Sequence, residues 1–269
     1  MSENRATPLV SVIMGAYNCE DTLKRAVDSI IAQTYTNWEF LICDDCSTDR
    51  TLEILNEYHK KDSRIIVLHN KKNRRLAFSL NHCLKYSKGK YVARMDADDE
   101  SLSERFQKQV VFLETHPNYD CVGSGRIIFD ENGTEIVKNG SGEAQKSRLL
   151  TNTPFSHPTI MMKKSVYDEL NSYTVSQATM RAEDLDLWFR FFYANHRGYI
   201  LYEPLYRYQE TTNDYAKRSF KAGLMTAKVY LNGYKLIGIP RYKYIYALKP
   251  IIAALVPNNI MKRIHQLAK

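Results

Sequence analysis

The densest chemistry in this chain lies at Asp96-Ala97-Asp98-Asp99, where three carboxylates fall within four residues. Like charges at that spacing repel, so the arrangement is costly unless a cation compensates it. An all-oxygen donor set suits Mg²⁺ or Mn²⁺, ions that commonly take one or two carboxylates together with substrate phosphates. The plainer reading is a solvated acidic turn that caps a following helix through its N-terminus. On the tripeptide alone the two readings stand level. A second acidic pair, Asp44-Asp45, follows another apolar run, Phe40–Cys43.

What does not accompany these acids narrows the chemistry. No GxGxxG follows the first apolar run, and GxxxxGK[ST] occurs nowhere, which argues against a dinucleotide enzyme and a P-loop NTPase. A diphosphate bound here would be neutralised by a metal rather than by backbone amides. Cys43-Asp-Asp-Cys46 has the CxxC spacing of a redox or zinc pair, but no second pair or histidine cluster joins it. Cys43 also ends an apolar run, so both roles are set aside.

The elements that must position these residues come from the hydrophobic pattern. Leu9–Met14, Phe40–Cys43, Arg64–Leu68 and Lys90–Met95 read as strands buried on both faces. Between them lie helical stripes at Asp21–Gln33, from a Ser47 or Thr48 cap to about His59, and at Leu76–Tyr86; Ser103–Thr115 follows the fourth strand. This βαβαβαβα series predicts an α/β fold with an open, mostly parallel sheet and helices on both faces. Ligands of such sheets bind beyond the carboxyl ends of the strands, where Ala16-Tyr17-Asn18, Asp44-Asp45 and Asp96–Asp99 fall. The metal-binding reading of the acids gains from that placement.

After Asn118 the rhythm changes. Cys121–Phe129 and Thr134–Lys138 predict a small antiparallel addition, and Thr159–Met162 a short strand. Glu183–Asn195 reads as a helix, Tyr199–Tyr208 as two short strands around Pro204, and the chain from Asn213 as helical, broken by Pro240, Pro250 and Pro257.

Composition bounds the class. Of 269 residues, 44% are hydrophobic and 25% charged, the proportions of an ordinary globular protein. The five cysteines do not make a disulfide framework, no run approaches membrane-spanning length, and the N-terminus lacks the apolar core of a secretory signal. A reducing, cytoplasmic setting is the expectation. The net charge of +8 is uneven: Tyr215–Lys269 holds 11 Lys or Arg and no acid, leaving 27 basic against 30 acidic residues before it. A slightly acidic body thus carries a strongly basic end. In 241–269 tyrosines and aliphatics interleave with cations, a mix suited to an anionic membrane surface, although a packed helix with solvated lysines has the same composition. No nucleic-acid module is present, so nucleic acid is disfavoured as the partner.

Val10–Asn18 (VSVIMGAYN), Asp44–Thr48 (DDCST) and Tyr91–Asp99 (YVARMDADD), in this order, resemble glycosyltransferase family 2, of GT-A fold. Ser101–Phe106, Ser156–Thr159 and Glu183-Asp184 extend the likeness, which covers roughly residues 8–210 and is nearest to the bacterial branch building surface polysaccharides such as O-antigen. The resemblance implies a catalytic domain over 1–212, with a nucleotide-binding half 1–117 and an acceptor half 118–212, and a separate basic segment 213–269. It also implies that Ala16 and Tyr17, with Asn18 beside them, contact the donor's base and that Asp45 bonds the uracil. Asp96 would lie near the ribose beside Ala97, Asp98 would bind Mn²⁺ or Mg²⁺, and Asp99 would lie close to the sugar. Asp184 would be the catalytic base. Glu183 would orient it, bind the acceptor or favour the helix start.

Three further residues stay open. Arg75 stands where the family usually has glycine and either adds a phosphate contact or fills space. His157 either touches a substrate or is structural. Trp188 reads as the core face of its helix, or as an aromatic stacked on a sugar. Tyr208-Gln209 replace a histidine common near the metal, which puts a third protein ligand in doubt.

The expectation is therefore an inverting hexosyl- or N-acetylhexosaminyltransferase using a UDP-sugar and a lipid-linked, undecaprenyl-diphosphate saccharide, peripheral on the inner face of the cell membrane. The alternatives are a sugar nucleotidyltransferase, which the absence of a glycine-rich basic loop disfavours, and a non-catalytic membrane adaptor. A DxDx[TV] phosphatase is disfavoured by Glu100.

Overall fold

Alternate residues of the central strands belong to two different cores. In β1 (Val10–Ala16), Val10, Val12 and Met14 face one core and Ile13 the other; in β2 (Trp38–Asp44), Phe40 and Ile42 oppose Leu41 and Cys43. A strand covered on both faces requires this burial of both side-chain sets. The structure is a computed structural model and describes residues 7–130, 133–211 and 219–256. One face is covered by α1 (Leu23–Ile31), α2 (Thr51–Lys61) and α4 (Arg105–Thr115). The other is covered by α3 (Leu76–Tyr86), α5 (Lys164–Glu169), α6 (Glu183–Tyr193) and α7 (Phe220–Ile237). In α1 the buried stripe is Leu23, Ala26, Val27 and Ile30, the spacing of one helical face.

β3 (Ile65–His69), β2, β1 and β4 (Tyr91–Arg94) are parallel neighbours, in register from Val10 opposite both Trp38 and Tyr91. Their carboxyl ends therefore share one rim, as the sequence pattern predicts. Beyond β4 the order is β9 (Met161–Lys163), β6 (Cys121–Phe129) and β10 (Gly198–Gln209). Only β9 in this part of the path runs antiparallel to both its neighbours. The predicted antiparallel addition is β6 with β7 (Glu135–Lys138).

Several boundaries differ from expectation for identifiable reasons. Pro204 does not split β10; the strand runs on with register shifts on either side of it, since a bulge accommodates a residue without an N–H. His157–Thr159 form a 3-10 turn with Pro158 at its start, which delays β9 to Met161. Neither Ser47 nor Thr48 caps α2, because both hydroxyls are taken by Asn18; Asp49 instead accepts from the Thr51 N–H at 3.0 Å. Two-residue strands, β5 (Glu100–Ser101) and β8 (Gly142–Glu143), pair with β10 and carry no sequence signal of their own.

The C-terminal helix is part of the core. Val229, Tyr230, Tyr234 and Ile237 of α7 pack with α6, and Gly233 rests on Phe189 so closely that a Cβ there would lie 2.2 Å from its ring. A 3-10 helix, Arg241–Leu248, and α8 (Lys249–Leu255) follow, with Pro250 in the first turn of α8 rather than breaking it. The expected basic helix extends to 269, but 212–218 and 257–269, with Pro257, lie outside the described residues. No helix among the described residues is long and apolar enough to cross a membrane.

Candidate active site

β4 delivers the acids to the rim, and its own arginine receives them. Arg94 is buried in the strand, a placement too costly for an unpaired guanidinium, and it meets the Asp96 carboxylate at 2.6 Å. The turn that follows is stitched from three sides. Thr22 of the α1 approach donates to Ala97 O at 2.9 Å, Arg25 to Asp98 O at 2.7 Å, and the Asp96 N–H to the Tyr206 hydroxyl at 3.1 Å. Asp98 projects to solvent at this rim, whereas Asp99 turns inward and is 1% exposed. One Asp99 oxygen accepts from the Gln209 N–H at 2.8 Å, and the other is buried without a partner. Burial, then the charges of Asp96 and Asp98, holds its carboxyl well above the usual range. Asp99 is therefore an anchor between the acid turn and β10, and not a surface facing a donor sugar.

The nucleotide side is built by Asp45, one residue past β2. Its N–H donates to Ala16 O at 2.8 Å, which ties it to the end of β1. Its carboxylate accepts from Asn70 Nδ2 and the Arg74 N–H, both at 2.8 Å, and from the Arg75 N–H at 2.7 Å. These bonds fold the 70–75 loop over the rim and close a cavity of about 140 Å³ lined by Gly15, Ala16, Tyr17, Asp45, Asn73 and Arg75. Tyr17 offers an exposed ring there. Asn18 stands behind it with φ 46° and locks the two rim loops together, accepting from the Thr48 N–H at 2.8 Å.

Arg75 occupies a backbone conformation suited to glycine, φ 71° and ψ 168°. For a residue with a Cβ that region costs on the order of 1–3 kcal/mol. The Asp45 bond to its N–H holds it, and Arg75 lies in the wall that this cavity shares with a second one.

That second cavity, about 380 Å³, lies between the first turn of α3 and the 174–181 loop, with Glu183 at the start of α6 in its wall. Burial, then the charge of Asp184, pushes the Glu183 carboxyl up to about 7. Asp184 is also raised by burial, although it accepts from the Leu185 N–H at 2.7 Å. Arg94 and Asp96 act electrostatically on both residues, so the start of α6 faces the carboxyl end of β4.

Other expected residues fall elsewhere. Trp188 is fully buried among Phe155, His157 and Phe191 and has no face for a sugar, because it lies on the apolar side of α6. His157 is buried behind it, bonded through Nε2 to the Tyr173 hydroxyl at 2.8 Å, and burial lowers its basicity. Cys43 is buried with its thiol pushed up to about 12, and all five cysteines are unpaired, so the CxxC spacing is incidental. Gln209, at the position of the usual histidine, bonds through its side chain to Arg25 and through its N–H to Asp99.

Among the described residues no group of three or more His, Cys, Asp or Glu side chains is placed to hold a metal. Rim carboxylates of Asp98 and Asp96 nevertheless fit an ion that takes one or two protein oxygens and completes its shell from a substrate diphosphate. The pattern reading passed over Arg94, Asn70, Arg74 and Arg181. Only Arg94 carried a signal, a charge inside an otherwise apolar strand.

The model of the family described as "Glycosyl transferase family 2" matches residues 11–171. Over 261 residues the chain is 44% identical to the Bacillus subtilis protein EpsE, provisionally named a glycosyltransferase, covering 96% of this chain and 94% of that one. It is 46% identical over 107 residues to Escherichia coli WfaP, named a UDP-Glc:alpha-D-GlcNAc-diphosphoundecaprenol beta-1,3-glucosyltransferase, covering 40% of this chain and 42% of that one. The fold is similar to the Staphylococcus aureus TarS 1–349 structure in complex with UDP-GlcNAc, with TM-score 0.64, 18% identity and coverage of 92% and 81%.

Proposed function

The chain belongs to glycosyl transferase family 2, and on that premise we propose that it is an inverting, metal-assisted enzyme of bacterial surface-polysaccharide assembly. It moves a hexose or N-acetylhexosamine from a UDP-sugar to a saccharide carried on undecaprenyl diphosphate. One observation carries this reading: Arg94 pairs with Asp96 of the acid turn and its charge also acts on Glu183 and Asp184, with two cavities, of about 140 and 380 Å³, that share Arg75 in their walls.

In this reading Ala16 and Tyr17 pack on the uracil and Asp45 faces its edge, while Asn18 and Asn70 keep the rim loops in place. Asp96, set by Arg94, lies toward the ribose. Asp98 would hold Mn²⁺ or Mg²⁺ with the donor's phosphates, and such an ion compensates the charge that develops on the leaving diphosphate. The acceptor hydroxyl oxygen bonds to the anomeric carbon as the bond from that carbon to the phosphate oxygen breaks, and UDP leaves with the electron pair. Asp184 takes the hydroxyl proton. Burial raises its basicity, which suits that task. A single displacement from the opposite face inverts the anomeric centre.

Support for the donor and acceptor comes from the WfaP name, which pairs UDP-glucose with a diphosphoundecaprenol acceptor, and from the UDP-GlcNAc held by TarS. An acceptor on a membrane lipid fits a peripheral location on the inner membrane face. The test offers a set of UDP-sugars with a short-chain GlcNAc diphosphate lipid and assigns the product's anomeric configuration by NMR. Transfer with inversion, lost in Asp184→Asn, is expected. Retention of configuration, or full transfer by Asp184→Asn, contradicts it.

A further inference from the structure

Among the described residues two arginines hold positive φ angles, Arg75 at 71° and Arg181 at 66°. Both line the same cavity of about 380 Å³, and Arg74 lines it too. Left-handed backbone at a residue with a long side chain is uncommon and costs energy, and such strain gathers where function needs a side chain in a set place. Three arginines lining one hollow in a body whose first 214 residues carry more acid than base are a local concentration of charge.

We infer that this cavity is the subsite for the acceptor's diphosphate, with Arg74 and Arg181 as its phosphate contacts. The inference rests on the glycosyl-transfer reading above. Guanidinium forks match phosphate oxygens in pairs. Leu76 and Ala77, the first turn of α3, line the same space, so the positive end of an 11-residue helix adds to the field. Arg74 stacks on Phe78 at 4.1 Å and also borders a neighbouring cavity of about 580 Å³ with Lys71, Lys72 and Lys85, which extends the positive potential outward.

The layout agrees with a saccharide diphosphate lipid. Glu183 stands in the cavity wall beside Asp184, so a sugar whose phosphates meet the arginines would present its hydroxyls toward the reacting carboxylate. At the rim Val175 and Met180 are exposed, and they give the first prenyl carbons an apolar seat. Arg75 lines both this cavity and the donor cavity and divides them.

The experiment compares two acceptors of equal chain length, a farnesyl-diphosphate GlcNAc and a neutral farnesyl GlcNAc glycoside, with wild type, Arg74→Gln and Arg181→Gly. Glycine at 181 keeps the left-handed backbone without strain, so folding is retained. Each variant is expected to raise KM for the diphosphate acceptor about 10–100-fold while KM for the neutral acceptor and for the UDP-sugar moves less than about threefold. Equal use of both acceptors by wild type, or a rise in donor KM instead, overturns the assignment. Calorimetric titration of the diphosphate acceptor without donor separates the two readings. Arginine-dependent binding with no transfer from any UDP-sugar would sink the catalytic reading and keep the subsite. Binding unchanged in both variants would sink the subsite.

Discussion

Glu183 holds a proton that the unfolded chain would release. Its carboxyl is raised from the ordinary 4.5 to about 7 by burial and by Asp184. A folded value above the unfolded one means that the native state binds more protons between those limits. The contribution to stability is therefore complete below pH 4.5 and falls away as pH rises through 7. Glu183→Gln removes the buried charge at pH 8 and is expected to raise stability there by about 1–2 kcal/mol, or roughly 3–6 °C in Tm, with the gain gone at pH 5. A Tm at pH 8 equal to or below wild type would show that the charge is already compensated. The acids of the site were readable as residues because carboxylates just past apolar runs are conspicuous. Arg74 and Arg181 were not, since both are exposed basic residues in polar loops, and only the fold brings them to the wall of one cavity. His157 and Trp188 show the reverse: side chains able to bind ligands that the fold buries against Tyr173, Phe155 and Phe191.

Elements buried on two faces announce themselves, and β1 to β4 with α1 to α4 stand close to where their apolar runs and stripes put them. Elements made by pairing alone do not. β5 is two residues long, yet with the Asp99 bond to Gln209 it stitches the acid turn to β10. Pro204 pointed to a break because a pattern reading cannot see that β6 supplies a bulged register. At the C-terminus the pattern pointed to an interfacial segment. The described part of it leaves Tyr242, Ile245, Ile252 and Leu255 exposed beside Arg241, Lys243 and Lys249. Apolar side chains interleaved with cations, with no acid from Tyr215 onward, match an anionic lipid surface. The protein is expected to sediment with vesicles containing anionic lipid, less at 0.5 M salt (a Debye length of roughly 4 Å), and less when Ile245 and Ile252 are both changed to Ser. Equal recovery with neutral vesicles, or none with either, would contradict this role.

Across the whole molecule the charge is unevenly divided. The body before Tyr215 is slightly acidic, and its acid turn follows β4 at the same rim as the Asp45 cavity proposed for the donor's base. Two anionic partners at one rim need a cation between them, and this requirement joins the acidic sequence motif, the family membership and the proposed chemistry. The most direct test is calorimetric titration of UDP into the full-length protein, in Mn²⁺ and in EDTA, for wild type and Asp98→Ala. Binding in Mn²⁺ is expected to be at least about tenfold tighter than in EDTA, a difference of about 1.4 kcal/mol, with that advantage absent in Asp98→Ala. Equal affinity for UDP in EDTA and Mn²⁺, or a Mn²⁺ advantage undiminished in Asp98→Ala, would contradict it.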